Sequence, residues 1–241
     1  MSTIYSAPFR CVDCGAALDV RVADSLNANR LPEARQWVLD RTLFQKTCAC
    51  GRAVTALHPF LYADFERGLW LQVLREDDRP AYAAHERDVL AAYRAAFAPA
   101  TGPRFIEALG AMVAPRVVYG HEELREKVVC ADAGLDDALV EALKLEILVG
   151  RRELLQRGVV LLTLDGAGPE ALQLRAYGFP PGGPGQILGE LTVARATYDE
   201  LAARTAAVRD SYPALFDGVY VNVQRYRFEP EPPGERFRAS A

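Results

Sequence analysis

Apolar and polar residues alternate at 18–22 (Leu-Asp-Val-Arg-Val), the pattern of a half-buried strand, and short strand-like stretches recur at 43–47, 52–57 and 69–74. Between the first two, a turn-rich stretch ends on Pro32, which opens a short helical pattern with Trp37, Val38 and Arg41 on one side. Residues 76–80, Glu-Asp-Asp-Arg-Pro, break the strand pattern, and the period then lengthens to that of a helix. Tyr82, Val89, Tyr93 and Phe97 fall on one face, and Glu86, Arg87 and Arg94 on the other. A second short helix after Gly102-Pro103 presents Phe105, Leu109 and Met112. Residues 121–130 and 136–148 then read as two ordinary amphipathic helices, with Gly134 between them as a C-terminal cap.

The pattern returns to strands at 159–164, which reads as buried, with 172–177 as its hairpin partner and 187–193 as a third strand. Thr197-Tyr-Asp-Glu200 is a capping-box pattern that opens a helix running to about Val208. Residues 219–226 alternate as a half-exposed strand of the same sheet. The stretch 178–185, Gly-Phe-Pro-Pro-Gly-Gly-Pro-Gly, is too rich in glycine and proline for regular structure, and 229–241 reads as a loose tail.

Half of the 241 residues are apolar, enough for a sizeable core, yet the run at 159–164 is far short of the ~20 residues of a membrane helix. The N-terminus lacks the basic start and apolar core of a secretory signal, so the expected compartment is the reducing cytoplasm, without membrane contact. Residues 1–70 carry eight basic and seven acidic side chains; the remainder carries twenty and twenty-five. Neither part is a basic patch, which argues against non-specific nucleic-acid binding.

Four of the five cysteines fall in two close pairs, Cys11-Val-Asp-Cys14-Gly and Cys48-Ala-Cys50-Gly. Two short loops of this kind supply the four thiolates of a closed tetrahedral zinc site. The glycine after each pair allows the turn that aims backbone N–H groups at sulfur. With strand-like sequence on either side of each pair, the pattern is that of two knuckles on two hairpins, a zinc ribbon. Iron suits the same four sulfurs, and thiol–disulfide chemistry at Cys11 and Cys14 is the competing use. A redox pair of this spacing ordinarily opens a helix after a strand, whereas here a strand follows. His58 stands close enough in sequence to replace a cysteine ligand; a surface or capping histidine is the commoner case.

The remaining candidates have plain structural explanations. His121-Glu-Glu lacks the second histidine of HExxH. Cys130, among Val128, Val129 and Ala131, reads as a small buried hydrophobe, and Asp136 and Asp137 as helix-capping carboxylates. The 178–185 stretch has no GK[ST] ending for phosphate. An enzyme site near it would require a deep pocket lined by carboxylates.

Cys11-Val-Asp-Cys14-Gly, Asp24-Ser-Leu-Asn, Cys48-Ala-Cys50-Gly and Pro59-Phe-Leu-Tyr-Ala-Asp64 together resemble the bacterial CpXC family, named for two Cys-Pro-x-Cys motifs. Glu123-Leu-Arg-Glu-Lys and residues 134–144 look like the helical portion of its longer members. Val12 stands where the first motif has proline, and the second motif is one residue short. The resemblance implies a zinc-ribbon-like module on an α+β body, and no reaction. The expectation is therefore an α+β chain: a zinc-ribbon-like β module over 1–75, a domain of amphipathic helices and a small mostly antiparallel sheet over 76–228, and a tail over 229–241. Cys11, Cys14, Cys48 and Cys50 would hold a structural Zn2+. The expected role is protein interaction as an adaptor or complex subunit, with a nucleic-acid accessory factor as the alternative.

Overall fold

Alternation at residues 3–27 makes a long antiparallel hairpin, β1 (Thr3–Arg10) and β2 (Ala17–Asn27). The computed structural model describes residues 2–98, 103–178 and 185–227. Short strands β3 (Gln45–Thr47) and β4 (Ala53–Thr55) form a second, separate hairpin. Between the hairpins runs helix α1 (Pro32–Leu39), its proline at the first turn where no N–H is needed. The first hairpin does not stop at a small ribbon. It continues into a five-stranded sheet, ordered β1-β2-β5-β6-β7, with β5 (Phe60–Asp64), β6 (Leu69–Leu74) and β7 (Ala114–Tyr119).

β6 is buried on both faces. Leu69, Leu71 and Val73 point to one core with Leu124 and Val128, while Trp70 points to another with Val89, Val117 and Tyr119. Helix α2 (Tyr82–Phe97) covers the second face, and with α3 (Arg104–Ala111) forms the crossover that lets β7 lie parallel to β6. The position between residues 75 and 76 thus falls between two strands that hydrogen-bond to one another in one sheet.

Helix α4 (Gly120–Asp132) lies against this sheet and also against β8 (Leu161–Ala167), the first strand of a second, three-stranded sheet. That sheet is an antiparallel meander of β8, β9 (Ala171–Gly178) and β10 (Gln186–Ala194). The core between it and α5 (Asp137–Gly150) is the largest in the molecule's described residues. Helices α6 (Arg152–Gln156), α7 (Arg195–Ala203), α8 (Thr205–Ser211) and α9 (Pro213–Asp217) close its margins. The molecule is α+β, with strands concentrated first and last and the long helices between. Among the described residues no helix is long and apolar enough to cross a membrane.

Three sequence expectations are corrected. Residues 219–226 are not a strand: Val219 to Arg225 are all buried, and the chain winds into a 3-10 turn over Val223–Arg227. Side chains take the backbone groups a ladder would use, since Glu86 accepts the Tyr220 N–H, Glu141 accepts the Val223 N–H and Lys127 donates to the Val221 carbonyl. The capping box at Thr197 does not form, because α7 begins two residues earlier, at Arg195, directly from β10. Helices α4 and α5 are not ordinary amphipathic helices, for Glu123, Glu126, Lys127, Glu141 and Lys144 are all buried. The 179–184 part of the glycine-proline stretch and the 229–241 tail lie outside the described residues.

Candidate metal centre

The first knuckle closes the β1–β2 hairpin and the second closes β3–β4. Each is held by the same pair of backbone bonds. In the first, Gly15 N–H donates to the Cys11 carbonyl at 2.9 Å and Cys11 N–H to the Ala16 carbonyl at 2.9 Å. In the second, Gly51 N–H donates to the Cys48 carbonyl at 2.9 Å and Cys48 N–H to the Arg52 carbonyl at 2.8 Å. The second turn is one residue tighter yet closes with the same logic. Gly15 and Gly51 make this possible with φ of 72° and 90°, a left-handed conformation that side chains disfavour.

The two turns face one another and bring four sulfurs together, all within 4.8 Å of each other. Cys11 Sγ stands 3.7 Å from Cys50 Sγ, and Cys14 Sγ 3.6 Å from Cys48 Sγ. A tetrahedral ion bonded to four thiolates at about 2.3 Å requires sulfurs about 3.8 Å apart, so the pocket between them fits a metal ion. These separations are far beyond the ~2.05 Å of a disulfide. The first cysteine of each pair, Cys11 and Cys48, is buried, and the second, Cys14 and Cys50, is exposed. Arg52 reaches across to Asp13 at 3.7 Å, an exposed ion pair linking one knuckle to the other.

Electrostatics agree with the geometry. The Cys14 and Asp13 N–H groups point at Cys11 and bring its thiol down to about 7. At Cys14 the Ala16 N–H also pulls downward, but the crowding thiols of Cys48, Cys50 and Cys11 outweigh it and push Cys14 up to about 12. Four sulfurs this close cannot all ionise against one another's charge; a cation among them is what permits four thiolates.

The other candidates lie elsewhere. His58 Nε2 is 3.1 Å from the Tyr5 hydroxyl and 3.2 Å from Asp24, forming a surface cluster apart from the sulfurs. Cys130 is 2% exposed within the large core. Asp136 caps α5, accepting the Ala138 and Leu139 N–H groups, whereas Asp137 turns inward to Arg116 and Lys127. His121 packs edge-on against the Phe44 and Phe60 rings, which also touch each other. The Ala16 and Arg52 carbonyls, which fix each knuckle, carry no signal in the sequence beyond their place after a Cys-Gly pair.

The family model described as CpXC protein matches residues 9–144, which span both knuckles, the end of β1 with the other four strands of the five-stranded sheet, and helices α1 to α4 with the first part of α5. No curated protein and no solved structure matches the chain. With the paired knuckles in place and the match covering more than half its length, the chain belongs to the CpXC family.

Proposed function

We propose that this is a cytoplasmic zinc protein in which the four-thiolate site is structural and the paired knuckles support protein interaction, as an adaptor or a subunit of a complex. The observation that carries the reading is the convergence of Cys11, Cys14, Cys48 and Cys50 on one ion-sized space. Four protein ligands fill a tetrahedral ion and leave no position for water or substrate, so the metal has a structural role rather than a catalytic one. Zinc is favoured because it has no redox chemistry and takes four sulfurs in this geometry without preference for other arrangements. The interaction role is supported by the knuckle tip, where Val12 leaves 82% of its surface in solvent. A reducing compartment is the one in which such thiols stay available to a metal.

The test is native mass spectrometry of the protein purified under reducing conditions, beside its denatured mass. One bound zinc, lost when any of the four cysteines becomes serine, is the expected result. A metal-free chain lighter by pairs of hydrogens would replace the reading with thiol redox chemistry, and an iron mass would change the metal. For the role, Val12→Asp should leave the zinc in place and abolish binding to a partner purified with the wild type. A nucleic-acid partner is the alternative, and filter binding that weakens steeply with salt would favour it.

A further inference from the structure

A cavity of about 240 Å3 lies away from the cysteines, where the turn at Glu76–Ala81, β7, α4, β8 and the buried segment 219–225 meet. Glu123 forms its floor, 6% exposed. Glu123 Oε2 accepts the Tyr119 N–H at 2.8 Å, and Oε1 receives Arg79 at 3.1 Å, the Gln224 amide at 3.3 Å and the Tyr220 hydroxyl at 3.4 Å. Burial pushes the Glu123 carboxyl up to about 7, against the downward pull of Arg79, the Tyr119 N–H and Lys127 and with Glu141 adding to the rise.

Three polar groups on the wall are left over. Arg79 Nε is buried and has no hydrogen-bond partner among the described residues. Asn222, 2% exposed, uses Oδ1 to accept the Gln224 N–H, and no bond to Nδ2 exists among the described residues. Gln224, 6% exposed, gives Nε2 to Glu123 and leaves Oε1 likewise unpaired. Of the three, Arg79 Nε is buried without a partner, which is rare in a finished core, while Asn222 Nδ2 and Gln224 Oε1 line the open space; together they offer an occupant two donors and an acceptor.

The charge of the space selects among occupants. Glu76, Glu122, Glu123 and Glu126 line it, against Arg79 as the single cation among the described lining residues. Glu122 is held by Arg41 and Glu126 by Lys144, while Glu76 at the exposed mouth forms no ion pair among the described residues. Glu76 leans over the start of α4 because Gly120 leaves it room; a Cβ there would stand 2.5 Å from Glu76 Oε1. Among the described residues no three of these carboxylates approach as a metal site would, the cysteines being the group that does. The volume lies below the ~300–1,000 Å3 of drug-sized pockets.

We propose that this cavity is a binding site for a small organic cation, a primary amine that also carries a hydrogen-bond acceptor. The ammonium sits between Glu76 and Glu123, and the acceptor takes Arg79 Nε and Asn222 Nδ2. The site is composite, since Glu123 and Arg79 belong to the family-matched part whereas Asn222 and Gln224 come from beyond it. It stands independently of the metal reading.

The experiment is calorimetric titration of the full-length, metal-loaded protein at pH 8 with β-alaninamide, which carries both groups, and with propionamide, its counterpart without the amine. Saturable binding of β-alaninamide at least tenfold tighter than propionamide is expected. Glu76→Gln, at a residue that forms no ion pair among the described residues, should weaken it about tenfold with melting temperature unchanged; Asn222→Ala should weaken it about tenfold and also lower the melting temperature, because it removes the acceptor of the Gln224 N–H; and Glu123→Gln should abolish it. Equal binding of the two probes, no saturable binding of either, or affinity untouched by Glu76→Gln and Asn222→Ala would overturn the proposal.

Discussion

At the scale of single residues, two buried titrating groups act in opposite senses on stability. Glu123 is raised to about 7 by burial, so the folded chain holds a proton that the unfolded chain gives up near 4.3; its contribution is present at low pH and is lost as pH rises from about 4.5 to 7. His121 is lowered to about 4 by burial against Phe44 and Phe60, so the unfolded chain binds the extra proton, and stability is lost as pH falls from 6.5 towards 4. The two slopes nearly cancel between pH 4.5 and 6.5. Urea unfolding of metal-loaded protein across this range should therefore show a nearly flat profile for these groups, and Glu123→Gln should become more stable relative to wild type as pH rises to 7. A difference curve without slope would show that Glu123 titrates as an exposed carboxylate. A second residue-scale outcome concerns Gly51. An added Cβ meets no atom within 4 Å, so Gly51→Ala costs backbone strain alone, about 1–2 kcal/mol, visible as weaker retention of metal against a chelator.

At the scale of elements, α4 and α5 show where periodicity succeeds and where it fails. The apolar spacing of Leu124 and Val128, and of Leu139 and Leu143, marks both helices correctly, as it does α2 and the strands β6, β8 and β9. It says nothing of Lys144, which is fully buried between Glu126 and Glu141 at 2.7 Å each. Charged residues beside an apolar stripe read as a solvated face, and here the second sheet covers that face. β7 escapes notice for a related reason: Pro115 and Arg116 disguise its first half, and its pairing is supplied by β6, whose Leu69 stands opposite Ala114, forty-five residues later. The four cysteines, by contrast, announce themselves through spacing alone, because both knuckles are local turns. Replacing Lys144 with methionine keeps the volume and strands two buried carboxylates, at a cost of about 3–5 kcal/mol in urea unfolding. A loss under 1 kcal/mol would mean that water reaches the pair.

At the scale of the whole molecule, the four-cysteine site sits at the turns of two hairpins, beside apolar cores that contain none of its sulfurs. The β1–β2 hairpin carries the first knuckle at its tip, but its body pairs with β5 and packs Val20, Val22 and Leu26 into a core shared with Leu71, Val118 and Leu124. Further along, Asp165 at the bulge of β8 receives Arg41 from beyond α1, Arg125 from α4 and Arg175 from β9, fastening the second sheet to the first half of the chain. An autonomous zinc finger buries too little to fold without its ion, and there the metal's binding energy is the folding energy. Here the apolar cores on both faces of the sheet and against α5 contain none of the four cysteines, so they should persist without an ion. Chelation should therefore speed hydrogen exchange in residues 10–17 and 45–55 while β5, β6, α4 and α5 keep their protection, and the far-ultraviolet circular dichroism should change little. Exchange that accelerates through β6 and α4 together with the knuckles would instead make the ion part of the molecule's global folding unit.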